Sequence, residues 1–206
     1  MDTERAIPSD RPDESWPVTE STYLYRDSWV VALRADRILP PHGGGEPFRR
    51  LVVEHPGAVV VLAIDDDRRV LCLKQYRHPV RHVLVELPAG LRDAGDEPAV
   101  ETAKRELLEE AELVAENWTH LLSTWSSPGI TDERMEIFLA TGLSEASRGD
   151  FVPDHEEAEM ETLWVPFDDL LAGVLDGRVA DGPVAQAVLA TRVRGLDGVG
   201  LGATPE

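Results

Sequence analysis

The chain has 206 residues and a mass of 22.7 kDa, enough for one or two domains with a sizeable core. Apolar residues make up 42% and charged residues 29%, which excludes a disordered chain, and no run reaches the roughly 18 apolar residues of a membrane helix. Against 39 acidic residues stand 20 basic ones, a net charge of −19 that repels nucleic-acid phosphates and argues against a general DNA or RNA grip.

An anionic substrate would therefore need a cation or a local arginine cluster beside it. The lone Cys72 leaves no intrachain disulfide framework and no Cys-based zinc site, and points to the cytosol. Residues 1–17 carry Asp2, Glu4, Asp10, Asp13 and Glu14 without an apolar stretch, so they read as no secretory leader.

In chain order, residues 1–20 are polar and proline-containing and read as a flexible arm. Residues 23–39, with Tyr23, Tyr25, Trp29, Val30, Val31, Leu33 and Ile38, read as one or two strands. Pro40 to Gly45 turns, and residues 48–53 return as another strand. Residues 58–64 form an unbroken apolar run, Asp65, Asp66 and Asp67 turn, and residues 70–76 alternate, which predicts a β-hairpin with one strand buried on both faces. A short strand at 83–87 ends at Pro88-Ala89-Gly90. The strongest helix signal spans 98 to about 114, with Pro98 tolerated in its first turn. Strands follow near 118–125, 134–140 and 161–165, then helices at 168–175 and 184–193. The tail from Gly195 is glycine-rich and predicted to fray. Strands flanking one long helix indicate a mixed α/β, or α+β, layered fold.

That helix carries the chemistry. At 100° per residue, Val100, Ala103, Leu107, Ala111 and Val114 share one arc, and Arg105, Glu106, Glu109 and Glu110 share the adjoining one. Glu106 and Glu110 stand one turn apart on the same side, with Glu109 beside them. Stacked carboxylates repel unless something positive lies among them, and clustered hard oxygens are what Mg²⁺ or Mn²⁺ accepts. An isolated Glu-Glu pair would read as a solvated face; the surrounding spacing decides otherwise.

The segment from Gly90 through Glu97 to Arg105-Glu106-Leu107-Leu108-Glu109-Glu110 resembles the box of the Nudix hydrolases, Gly-x5-Glu-x7-Arg-Glu-U-x-Glu-Glu-x-Gly-U, with U aliphatic. Two positions depart from it. Six residues, 91–96, separate Gly90 from Glu97, and Glu112 stands where the box has its late glycine, which puts the end of the helix in question. The resemblance covers about half of the chain. It implies an α/β/α sandwich around a mixed sheet and metal-dependent hydrolysis of a diphosphate linked to another moiety, while the strands read at 23–39 and 48–53 suggest a separate small N-terminal β-sheet region. It implies metal ligation by Glu106 and Glu110, by Glu109 as ligand or near neighbour, and by the Ala89 carbonyl, with Gly90, Glu97 and Arg105 as supports of loop and helix.

Substrate choice lies outside the box. Sixteen residues beyond position 112 stands Pro128, followed by Glu133, a placement that resembles Nudix enzymes acting on ADP-ribose and puts Glu133 near the terminal ribose. The segments around Arg50 and Arg77 are similar to those that grip the phosphates and adenosine end in that subfamily, and guanidinium forks suit phosphate oxygens. Trp29 or Tyr25 would stack an adenine or pack a core. In the acidic segment 154–161, the resemblance assigns a base or an extra ligand to Glu157 or Glu159, with Glu156 adjacent. The expected reaction is ADP-ribose to AMP and ribose 5-phosphate. The rivals are another nucleotide sugar or a dinucleotide as substrate, or a non-catalytic module that binds nucleotide sugars. The expected organisation is an arm at 1–20, a sheet region at 21–55 for dimerisation and substrate, a hydrolase domain at 56–194 and a tail at 195–206. The expected assembly is a cytoplasmic homodimer with exchanged N-terminal sheets, without membrane or nucleic-acid partners.

Overall fold

In the computed structural model, residues 8–28, 30–41, 44–149 and 160–197 are described. They divide between two compact units, one up to Glu54 and one from His55 onward.

The first unit is an antiparallel three-stranded sheet, β1 (Val18–Tyr25), β2 (Ala32–Ile38) and β3 (Phe48–Glu54), in that order. β2 and β3 pair without a break from Ala32↔Glu54 to Ile38↔Phe48. β1 begins at Val18, inside the stretch expected to be an arm, because Val18 and Glu20 find partners in Ile38 and Arg37. Polar residues tie the sheet together. Ser21 donates to Asp36 at 2.5 Å, Arg34 reaches Asp36 and Glu54 at 3.1 and 2.6 Å, and Arg26 pairs with Glu54. All eight residues of β1 are exposed.

The second unit holds two sheets. β10 (Glu161–Pro166), β5 (Arg69–Arg77) and β6 (His82–Glu86) form one, and β7 (Ala89–Leu91), β4 (Ala58–Ala63), β9 (Arg134–Glu145) and β8 (Leu113–Trp125) form the other. The second sheet is mixed, since β4 runs parallel to β9 and antiparallel to β7. Side chains alternate across a strand, and β4 uses both faces. Val59, Val61 and Ala63 meet α1 (Ala99–Ala111) through Ala103 and Leu107. Val60 and Leu62 face the cluster built by α2 (Phe167–Leu175) and α3 (Gly182–Val193) with Phe167, Leu170, Val184 and Val188. Helices thus cover both sides of the strands, the expected α/β/α layering.

Two expectations are corrected here. β4 and β5 are not a hairpin; they share only the bridge Ile64↔Val70 and then part into different sheets. Both edges of β4 are taken by β7 and β9, and both edges of β5 by β10 and β6. The helix also stops at Ala111 instead of running to about 114, because Glu112 turns left-handed with φ 55° and ψ 38°. Its N–H still reaches the Leu107 and Leu108 carbonyls, so the residue replacing the box glycine adopts the conformation that favours glycine. Val114 then lies in β8, paired with Ser144.

Candidate active site

β7 and α1 build the site. Gly90 is the contact point: a Cβ there would run into the carboxylate of Glu106, so glycine alone lets that side chain lie against the strand. Glu106 is nearly buried. One turn on, the Glu110 carboxylate accepts the Ala89 N–H at 3.0 Å. Arg105 spans Glu106 at 2.8 Å and Glu109 at 3.0 Å. Burial works against the Arg105 charge, but Glu106 and Glu109 more than offset it and hold the guanidinium protonated. Glu97 accepts the Thr102 hydroxyl at 2.8 Å, which ties the loop entering α1 to the helix's first turns.

The structure thus gathers Ala89, Gly90, Glu97, Arg105, Glu106, Glu109 and Glu110 at one junction. Each carboxylate there meets a donor, and among the described residues no three acidic, histidine or cysteine groups close on a single point. The donor set nevertheless suits a hard dication, because it is all oxygen and rises from one helical face. Cys72 is no competitor as a ligand or nucleophile: burial pushes its thiol up to about 12.

Arg77 lies close enough to this junction for Glu110 to help stabilise its charge. The larger influence is Glu86, followed by burial, which opposes the charge, and by Asp181. Arg77 chelates Glu86 with Nε at 2.8 Å and Nη2 at 2.7 Å. Asp181 caps α3 by accepting the Val184 N–H at 3.0 Å, and burial pushes its carboxyl up to about 6. Sequence reasoning missed Glu86 and Asp181. The one signal for Glu86 was a single carboxylate ending the apolar run Val83-Leu84-Val85.

Pro128 stands exposed in the loop between β8 and β9, and that loop is closed by Glu133. Ser126 donates its backbone N–H to the Glu133 carbonyl and its hydroxyl to the Glu133 carboxylate, at 3.1 and 2.5 Å. His55 holds the loop from the side, donating its N–H to Asp132 at 2.8 Å. Arg50 belongs to the first unit, where its guanidinium lies 4.3 Å from the centre of the Phe48 ring. Trp29, Glu156, Glu157 and Glu159 fall outside the described residues.

The Glu106 carboxylate is seated on Gly90 by a helix that covers one face of the β4 sheet, and the NUDIX domain family matches residues 54–187. The chain belongs to that family. It is 42% identical over 161 residues to the ADP-ribose pyrophosphatase of Mycobacterium tuberculosis, covering 78% of this chain and 76% of that one. It is 37% identical over 159 residues to the ADP-ribose pyrophosphatase of Bacillus subtilis, covering 77% and 83%. A crystal structure of an ADP compounds hydrolase superposes with a TM-score of 0.71 at 20% identity, over 90% of this chain and 96% of that one. At that identity the likeness speaks to the fold.

Proposed function

We propose that the protein hydrolyses the pyrophosphate bond of ADP-ribose, giving AMP and ribose 5-phosphate, with Mg²⁺ or Mn²⁺ as cofactor. The observation that carries this is the seating of Glu106 against Gly90, beside Glu110 on the Ala89 N–H, in a chain whose relatives include ADP-ribose pyrophosphatases. Glu106, Glu109, Glu110 and the Ala89 carbonyl would hold the cation. When bound, it supplies charge neutralisation at the diphosphate and a more acidic water.

The chain's own groups do the rest. Arg77 grips a phosphate oxygen from the β5 side. Arg50 and Trp29 serve the adenosine end, and Pro128 and Glu133 border the terminal ribose. Glu157 or Glu159 takes the proton of the attacking water as its oxygen bonds to one phosphorus. The bridging oxygen leaves on the other phosphate, so one water is consumed and two monophosphates form. We assign residues 56–194 to this hydrolase body, residues 21–55 to dimerisation and substrate contact, and the protein to the cytoplasm, in keeping with its single cysteine.

The test is a hydrolysis screen over ADP-ribose, ADP-glucose, GDP-mannose and dinucleotides with each metal, products resolved by chromatography. ADP-ribose should give the highest kcat/KM, and chelation should abolish turnover. Glu106→Gln and Glu110→Gln should each lower kcat by about a hundredfold or more while the fold persists. Full activity in either variant removes the ligand assignment. A tenfold preference for another nucleotide sugar would move the substrate while leaving the family in place.

A further inference from the structure

Glu86 is the most deeply buried carboxylate beside the site, and its position is fixed from two directions. Its side chain is 8% exposed and grips Arg77, whose own side chain is 47% exposed. Along the chain, Leu87 is buried in the core, the Pro88 carbonyl accepts the Val61 N–H at 2.8 Å, and the Ala89 N–H holds Glu110. The strand end that carries Glu86 therefore also carries the seat of a proposed metal ligand. On β5 and β6 the residues Leu73, Gln75 and Arg77 lie on the same face as Glu86, Leu84 and His82. Gln75 is buried between the two ends of the pair.

A guanidinium is a planar fork with five N–H donors. The chelate uses Nε–H and one N–H of Nη2, so the plane cannot rotate without breaking two bonds. The outer edge, with both hydrogens of Nη1, then has a set direction. A lone arginine on an exposed strand end would lose rotamer freedom when it met an anion; this one has lost it in advance.

We propose that Glu86 is a positioning residue that aims the Arg77 guanidinium at a phosphate of the substrate. The inference rests on the diphosphate-hydrolase reading for its ligand. Its rival is simple neutralisation, in which Glu86 only cancels the Arg77 charge. The two differ in the sign of one measurement. If Glu86 merely competes for Arg77, removing its charge strengthens the hold on phosphate. If it aims Arg77, removing it weakens that hold.

The experiment compares Glu86→Gln, Glu86→Asp, Arg77→Lys and the Glu86→Gln/Arg77→Lys double variant. KM and kcat are measured on ADP-ribose with Mg²⁺, and inorganic pyrophosphate binding is measured by calorimetry. Glu86→Gln should raise KM about tenfold with a smaller change in kcat, and should weaken pyrophosphate binding by a similar factor. Glu86→Asp keeps the charge but shortens the reach, so it should also raise KM. The double variant should be no worse than Arg77→Lys, whose ammonium cannot form the chelate. An unchanged or lowered KM in Glu86→Gln overturns the proposal. So does wild-type behaviour in Glu86→Asp, which also decides the matter should Glu86→Gln fail to fold. If the wild type leaves ADP-ribose intact yet loses pyrophosphate binding in Glu86→Gln, the substrate reading fails and the positioning role stands.

Discussion

Gly90 and Glu106 require each other: the glycine exists at that point of β7 because the carboxylate occupies the space where a side chain would begin. Gly90→Ala should therefore push the Glu106 carboxylate off its seat and lower kcat by at least about tenfold. The melting temperature and circular dichroism should change little, and an alanine variant with full turnover would refute the seating. At the other end of α1, Glu112 bears the opposite kind of misfit, a side chain held at φ 55°. Its ion pair with Arg148, at 3.2 Å and half exposed, offsets little of that cost. Glu112→Gly should stabilise the protein by about 1 kcal/mol and raise Tm by about 2–4 °C, as thermal unfolding would show. The sequence displayed Gly90 and Glu106 by their spacing, and Glu112 as a departure from the box. It could not display Glu86 meeting Arg77, because that pairing depends on the register of two strands rather than on spacing along one.

Among the elements, α3 carries a titration that can be followed. The Asp181 carboxyl sits at about 6 in the folded protein, above its value in the unfolded chain. The folded state therefore holds the proton more tightly, and this residue's cost to stability grows as pH rises from about 4 to about 6. Asn keeps the capping oxygen without the charge. Asp181→Asn should match the parent at pH 4 and exceed it by about 2 kcal/mol at pH 7.5, as denaturant titrations at the two pH values would reveal. Equal stability at both would show that the cap carries no buried charge. Element existence was largely legible from local pattern. The Asp65-Asp66-Asp67 turn was placed where expected, yet its two strands join different sheets, because pairing is settled by distant partners. The α1 helix read three residues too long for a similar reason: Val114 continues its apolar arc while serving β8.

At the scale of the whole molecule, the first unit presents apolar surface that its own sheet does not cover. Val18, Tyr23, Leu24, Tyr25 and Leu51 are all exposed, and a small sheet needs something to pack on. We expect the partner to be a second copy, with the N-terminal sheets exchanged. Sedimentation should then give about 45 kDa, twice the mass of the chain. A chain that sediments as a monomer and is fully active at nanomolar concentration would contradict this. The acidic surface is consistent with a site that recruits cations, and among the described residues no helix is long and apolar enough to cross a membrane.

The parallel pairing of β4 with β9 governs how the molecule can be made. Ala58 pairs with Met135, so β4 leaves the ribosome about 77 residues before its neighbour exists. At about 5–20 residues per second, that is a wait of several seconds. During this interval one of the most apolar stretches of the chain has only β7 beside it. Such long-range parallel closure is intrinsically slow. The strand that later separates the two cores is thus a segment the nascent chain must shield while it waits, and its Val59 to Leu62 run is open to misassociation during synthesis.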